Sequence, residues 1–214
     1  MKTPLTVLVL FALVFAFGQV LPAQAAVITT PADLNPGDQF RVAFVSSSRR
    51  DALSTTITDH DQFISGLATT AGIDTYFGSA VTWQVLGSTT AISAISRVPL
   101  ISPSIHLVDG IKVADDGADL WDGSIDVAIL LTEFGVLQDF TVVHTGTLSN
   151  GAASPDAPLG GFAIQIMQVG LSSIVTTDSS WISVGPSGGD ILRWLYGISS
   201  VLTVPMAVPE PASY

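Results

Sequence analysis

Gln39-Phe40-Arg41-Val42-Ala43-Phe44-Val45-Ser46, and after a short polar segment Thr56-Ile57-Thr58-Asp59-His60-Asp61-Gln62-Phe63-Ile64-Ser65-Gly66-Leu67-Ala68-Thr69-Thr70-Ala71-Gly72, change the period of the apolar residues from two to 3.6. In the first segment Phe40, Val42 and Phe44 alternate with other residues, which predicts a strand over 39–46. In the second, Ile57, His60, Ile64, Leu67, Ala68 and Ala71 share one helical face. Thr56 followed three residues later by Asp59 approximates a capping box, and Gly72 is the natural C-cap. The expectation is a helix over 57–71.

Outward from this pair the chain reads as strands and loops. Asn35-Pro36-Gly37-Asp38 is a turn. Strands are expected at 81–86, 105–108, 111–114, 140–144, 162–169, 181–184 and 195–204. Asp109-Gly110 is the turn of a hairpin, 115–126 an irregular loop, and 185–190 a Gly-rich connection. Ser, Thr, Gly, Val and Ile dominate, and the acids are mostly aspartate, which favours turns and caps over long helices. The fold class is therefore α+β, predominantly antiparallel β with one clear helix at 57–71.

The two ends speak of traffic. Lys2, the apolar run Leu5–Phe17 and the small-x-small pattern at Ala23 and Ala25 form a Sec-type signal peptide, 1–25, with cleavage after Ala25. The run is short for a membrane span of roughly 20 residues. That leaves a single exported domain, 26–205, and a Pro-rich tail, 206–214.

Composition narrows the partners. The formal net charge is −11 and there is no cysteine. Nucleic acid is excluded as a partner, because it needs a basic footprint. Thiolate chemistry and disulfides are excluded as well. Asp109, Asp115, Asp116, Asp119 and Asp122, with Asp126, crowd one loop-rich stretch beside Lys112. Oxygen ligands on loops suit calcium; turn and cap aspartates are the other reading. The acids lack the spacing of a helix-loop-helix calcium site.

Three histidines, His60, His106 and His144, leave a secreted hydrolase open, since a triad need not be local in sequence. No Gly-x-Ser-x-Gly elbow supports it, and no catalytic residue is assigned. Asp59, His60 and Asp61 cannot converge on one ion, because adjacent helical residues diverge. Gly185-Pro186-Ser187-Gly188-Gly189-Asp190 lacks the Gly-Lys-Ser/Thr ending of a phosphate loop. Of Trp83, Trp121, Trp181 and Trp194, the one in the acidic loop, Trp121, is the expected ligand-contacting residue.

Pro209-Glu210-Pro211, with Val208 before it and Ala212-Ser213 after it, resembles the PEP-CTERM sorting signal of bacterial exported proteins. The resemblance implies processing by an exosortase-type membrane protease and delivery to the cell surface or extracellular matrix. That signal continues into an apolar segment and an Arg cluster, and neither follows Ser213-Tyr214. The expectation is either a shortened sequence or a copy released without processing.

The interior resembles exported PEP-CTERM proteins of unassigned function. The shared landmarks include Ser47-Ser48-Arg49-Arg50-Asp51, Trp83 with Gly87-Ser88-Thr89, and Leu107-Val108-Asp109-Gly110. They continue with Asp119-Leu120-Trp121-Asp122-Gly123, His144-Thr145-Gly146-Thr147 and Leu195-Tyr196-Gly197-Ile198-Ser199. Their order is similar to C-type-lectin-like and endostatin-like domains, although those rely on disulfides. The expected function is a non-enzymatic surface or matrix protein that binds extracellular polysaccharide, with calcium as a candidate cofactor. The alternatives are a secreted hydrolase and a purely structural surface protein.

Overall fold

The computed structural model describes residues 27–161 and 166–206. The signal-peptide residues, including Ala23 and Ala25, and the tail motif Pro209, Glu210 and Pro211 lie outside the described residues, as does the 162–165 part of the expected strand at 162–169.

The strand expected at 39–46 forms as β1, Gln39–Val45, and the helix forms as α1, Ile57–Ala71. After α1 comes a small hairpin, β2 (Thr75–Tyr76) and β3 (Ser79–Ala80), then β4 (Trp83–Val85) and a one-turn helix, α2 (Ala94–Arg97). Next are β5 (Ser104–Leu107), β6 (Lys112–Ala114) and a second one-turn helix, α3 (Gly117–Leu120). The chain continues with β7 (Thr141–His144), β8 (Ile166–Ser172), a 3₁₀ turn at Ser179–Trp181, β9 (Gly185–Gly188), β10 (Tyr196–Ser199) and β11 (Leu202–Thr203).

The main sheet runs β4-β10-β1-β5-β6, with β11 also on β1. β1 is its centre: residues 43–45 pair antiparallel with β10, residues 39–40 with β11, and residues 40–43 run parallel to β5. A second, three-stranded antiparallel sheet is β7-β8-β9. The fold is α+β, dominated by antiparallel pairing with one mixed sheet.

The period-two pattern of β1 separates two cores. Phe40, Val42 and Phe44 pack with Ile64, Ala68 and Ala71 of α1 and with Trp83. Ala43 and Val45 face the other core, with Trp121, Trp181, Tyr196 and Ile198. All five β1 residues are fully buried, so this strand is covered on both faces. Such burial removes five side chains from water at roughly 25 cal/mol per Å² of apolar surface.

Gly72 ends α1 in the left-handed region at φ 79°, its N–H reaching the Ala68 and Thr69 carbonyls. The N-terminal expectation is corrected. Thr56 occupies the N-cap position but makes no side-chain cap bond. Asp59 instead accepts from the Ser54 hydroxyl at 2.5 Å, so no capping box forms. Asp109-Gly110 makes the expected turn between β5 and β6, with Gly110 at φ 87°.

Two further expectations change. Trp181 ends a 3₁₀ turn and residues 182–184 are an irregular connection rather than a strand, while the Gly-rich 185–188 segment is an edge strand on β8. Strand pairing uses main-chain groups, so Gly185 and Gly188 suffice, and an edge tolerates Pro186. The expected loop at 115–126 contains α3, whose N-cap Asp116 accepts from the Asp119 N–H. Among the described residues no helix is long and apolar enough to cross a membrane.

Candidate functional site

At the C-terminal end of β1 the neighbouring strands part. On one side Val45 N–H donates to the Leu131 carbonyl, in a hairpin-like segment closed by a Leu131–Leu137 bridge. On the other side Ser46 pairs with Leu195: its N–H donates to the Leu195 carbonyl at 2.8 Å, and its hydroxyl accepts from Leu195 N–H at 2.9 Å. The same hydroxyl donates to the Ser48 carbonyl at 2.7 Å, which bends the chain outward. Where the strands splay, an open cleft of about 630 Å³ is lined by Ser47, Ser48, Arg49, Gln138, Leu192 and Trp194.

Each wall is fixed by main-chain pairing. Arg50 and Arg193 exchange both N–H···O bonds at 2.9 Å. Arg49 and Trp194 are the next cross-strand neighbours, and such neighbours share a face. The Arg49 guanidinium accordingly lies over the Trp194 ring, 5.1 Å from its centroid. Trp194 is further held where its carbonyl accepts from His144 N–H at 2.9 Å. Gln138 N–H donates to the Leu130 carbonyl at 2.7 Å and ends the opposite wall.

Behind Ser47 in the hydrogen-bond network is Glu133, fully buried. Its carboxylate accepts from Ser47 N–H at 2.9 Å and from the Ser47 hydroxyl. These bonds hold the Ser47-Ser48-Arg49 loop against the hairpin.

Two histidines lie within electrostatic range of each other. His60 on α1 and His144 on β7 are both fully buried. With the ring proton on Nε2, His60 donates to the Ser54 carbonyl at 3.0 Å and His144 to the Ile191 carbonyl at 2.8 Å. Among the described residues neither buried Nδ1 atom has a hydrogen-bond partner. Burial lowers both pKa values from 6.5; Arg50 lowers His60 further, and Arg193 and His60 lower His144 further. The main-chain acceptors and the nearby Asp59, Asp61 and Asp51 oppose these shifts without cancelling them. His106 lies apart, between the Gly110 carbonyl and the Ser104 hydroxyl. None of the three lines the cleft.

The aspartate cluster is engaged locally. Asp109 accepts from Ile111 N–H, Asp116 from Asp119 N–H, Asp119 from Asp115 N–H, and Asp122 from Ser124. Lys112 lies 2.6 Å from Asp115 and 4.0 Å from Asp33. Among the described residues no three acidic, histidine or cysteine side chains form a metal-sized group.

Trp121 is placed in the core. It is 5% exposed, its Nε1 donates to the Val98 carbonyl at 2.7 Å, and its ring stacks on Trp181. Of its ring faces, one is taken by Trp181, and little of the side chain is open to a ligand. The half-buried tryptophan at a cleft is Trp194. Sequence reasoning marked Ser47–Asp51 as a landmark and counted Trp194 among the aromatics, but nothing linear joins residue 49 to residue 194.

No protein-family model matches the chain, and no curated protein matches it.

Proposed function

We propose that this chain is an exported, non-enzymatic surface or extracellular-matrix protein that binds extracellular polysaccharide. The observation that carries the proposal is the cleft at the end of β1. It combines an aromatic ring, an exposed guanidinium, an amide and two hydroxyls on walls fixed by strand pairing. Planar polar groups beside an aromatic suit a ligand rich in hydroxyls and C–H faces. The signal-peptide pattern and the Pro-Glu-Pro motif support an address outside the cell. An early strand followed by a helix, and a mixed sheet closed by C-terminal strands, support a lectin-like relationship.

A secreted hydrolase of the Ser-His type needs a histidine that reaches its substrate, and His60, His106 and His144 are fully buried. Calcium has no role in this proposal, because the aspartates at 109–122 serve turns, a helix cap and Lys112.

The test is retention of the purified exported protein on immobilised polysaccharides, compared with Trp194→Ala. Binding lost in the variant, with folding intact, supports the cleft. Binding to none of them would leave a purely structural surface protein.

A further inference from the structure

We infer that the ligand of this cleft is an acidic polysaccharide, one whose sugar units carry carboxylates, and that Arg49 is its recognition residue. The inference rests on the polysaccharide reading above and specifies its substrate class.

Cations are scarce in this chain: beyond Lys2 they are Arg41, Arg49, Arg50, Arg97, Lys112 and Arg193, against a net charge of −11. Among the described residues two of these have carboxylate partners, Arg97 on Asp61 and Lys112 on Asp115 and Asp33. Arg49, Arg50 and Arg193 gather on one two-stranded ribbon, where like charges repel unless an anion shares them. Arg50 and Arg193 are directed to the ribbon's other face. There Arg50 donates to the Asp59 and Asp51 carbonyls, and Arg193 to the Ser187 hydroxyl at 2.6 Å. They contribute field within roughly a Debye length of the cleft, about 8–10 Å.

Arg49 is different. Among the described residues no hydrogen bond or ion pair engages its guanidinium; its contact is the Trp194 ring. The ring contact restrains the side chain, so its N–H groups are presented with less further loss of rotamer freedom. A planar fork matches a carboxylate in two parallel hydrogen bonds. Ser47, Ser48 and Gln138 offer partners for neighbouring hydroxyls, and the exposed Leu192 a surface for a sugar's C–H face. Glu133 is the acid bound to Ser47, which occupies both of its oxygens, while Asp51 and Asp59 lie beside Arg50, on the ribbon's other face.

The experiment measures binding of the full exported protein to polygalacturonate and to neutral dextran at low and high salt, for wild type, Arg49→Gln, Arg49→Lys and Trp194→Ala. Expected is binding of polygalacturonate that weakens as salt rises and drops about tenfold or more in Arg49→Gln, with only partial recovery in Arg49→Lys. Arg49 is exposed, so its variants keep their melting temperature. Equal binding of both polymers, insensitive to Arg49→Gln but lost in Trp194→Ala, overturns the acidic ligand and leaves polysaccharide binding standing. No binding of either polymer overturns both.

Discussion

Replacing Asp61 with alanine is expected to destabilise the fold by about 3–4 kcal/mol. Asp61 lies on α1 and its carboxylate ties together three elements. Oδ1 and Oδ2 accept from the two terminal nitrogens of Arg97 at 2.6 and 2.9 Å, and Oδ1 also accepts from Val85 N–H at 2.8 Å. The Arg97 side chain is 9% exposed and that of Asp61 20%, so the pair is largely removed from water. Breaking such a pair from one side costs about 3–5 kcal/mol, because a buried charge is left uncompensated. The residual exposure of Asp61 places this case in the lower half of that range. The orphaned Val85 N–H adds a contribution that does not sum independently. For a domain of this size, the shift in melting temperature is roughly 10 °C. The assay is urea unfolding followed by tryptophan fluorescence, with the slope checked for constancy. Asp61→Asn keeps an acceptor for Val85 and falls between wild type and alanine. The double change Asp61→Leu with Arg97→Met recovers most of the loss, since it removes both charges together. A loss below about 1 kcal/mol in Asp61→Ala, the value of an exposed pair, refutes the assignment of this bridge as a clamp between α1, β4 and α2.

Other outcomes follow from the same structure. Burial holds His60, His106 and His144 below their ordinary 6.5 in the folded state, so the unfolded chain binds more protons as pH falls. Their stabilisation is fully present above about pH 6.5 and is lost as pH falls toward the folded values, at up to about 1.4 kcal/mol per pH unit for each histidine. Urea midpoints measured from pH 8 to 5 should show this slope, and a flat profile refutes it. Trp121→Ala should destabilise by about 3–5 kcal/mol through the cavity it leaves, whereas Trp194→Ala should cost less stability and remove polysaccharide binding. Thermal melts and binding assays that rank the two variants the other way would return the ligand role to Trp121. Millimolar calcium against chelator should leave the melting temperature unchanged. A hundredfold excess over Kd at a real site would add roughly 2.7 kcal/mol and would be visible.

The strand at 39–45 and the helix at 57–71 were legible because their cause is local: apolar spacing, a following Gly72, and the absence of proline within either segment. The hairpin at Asp109-Gly110 was legible for the same reason, since a turn is fixed by a few adjacent residues. The capping box failed because Ser54, five residues before Asp59, competes for its carboxylate. The Gly-rich 185–188 segment became a strand because β8 supplies a free edge, which no property of those four residues announces.

The sequence by itself determined the α+β class, the central strand and helix, and the scarcity of positive charge. Only the tertiary structure decided which tryptophan is buried and which lines a cleft: Trp121 sits beside Asp119 and Asp122 in the chain yet is buried, whereas Trp194 sits between Leu192 and Leu195 yet lines the cleft. It also decided that Arg49 meets Trp194, that Ser47 meets Glu133, and that His60 lies near enough to His144 for their charges to interact. Each pair joins residues more than eighty positions apart. Their encounter depends on the register of β1, β7 and the segment before β10. Strand pairing sets that register across the whole domain, and no local pattern encodes it.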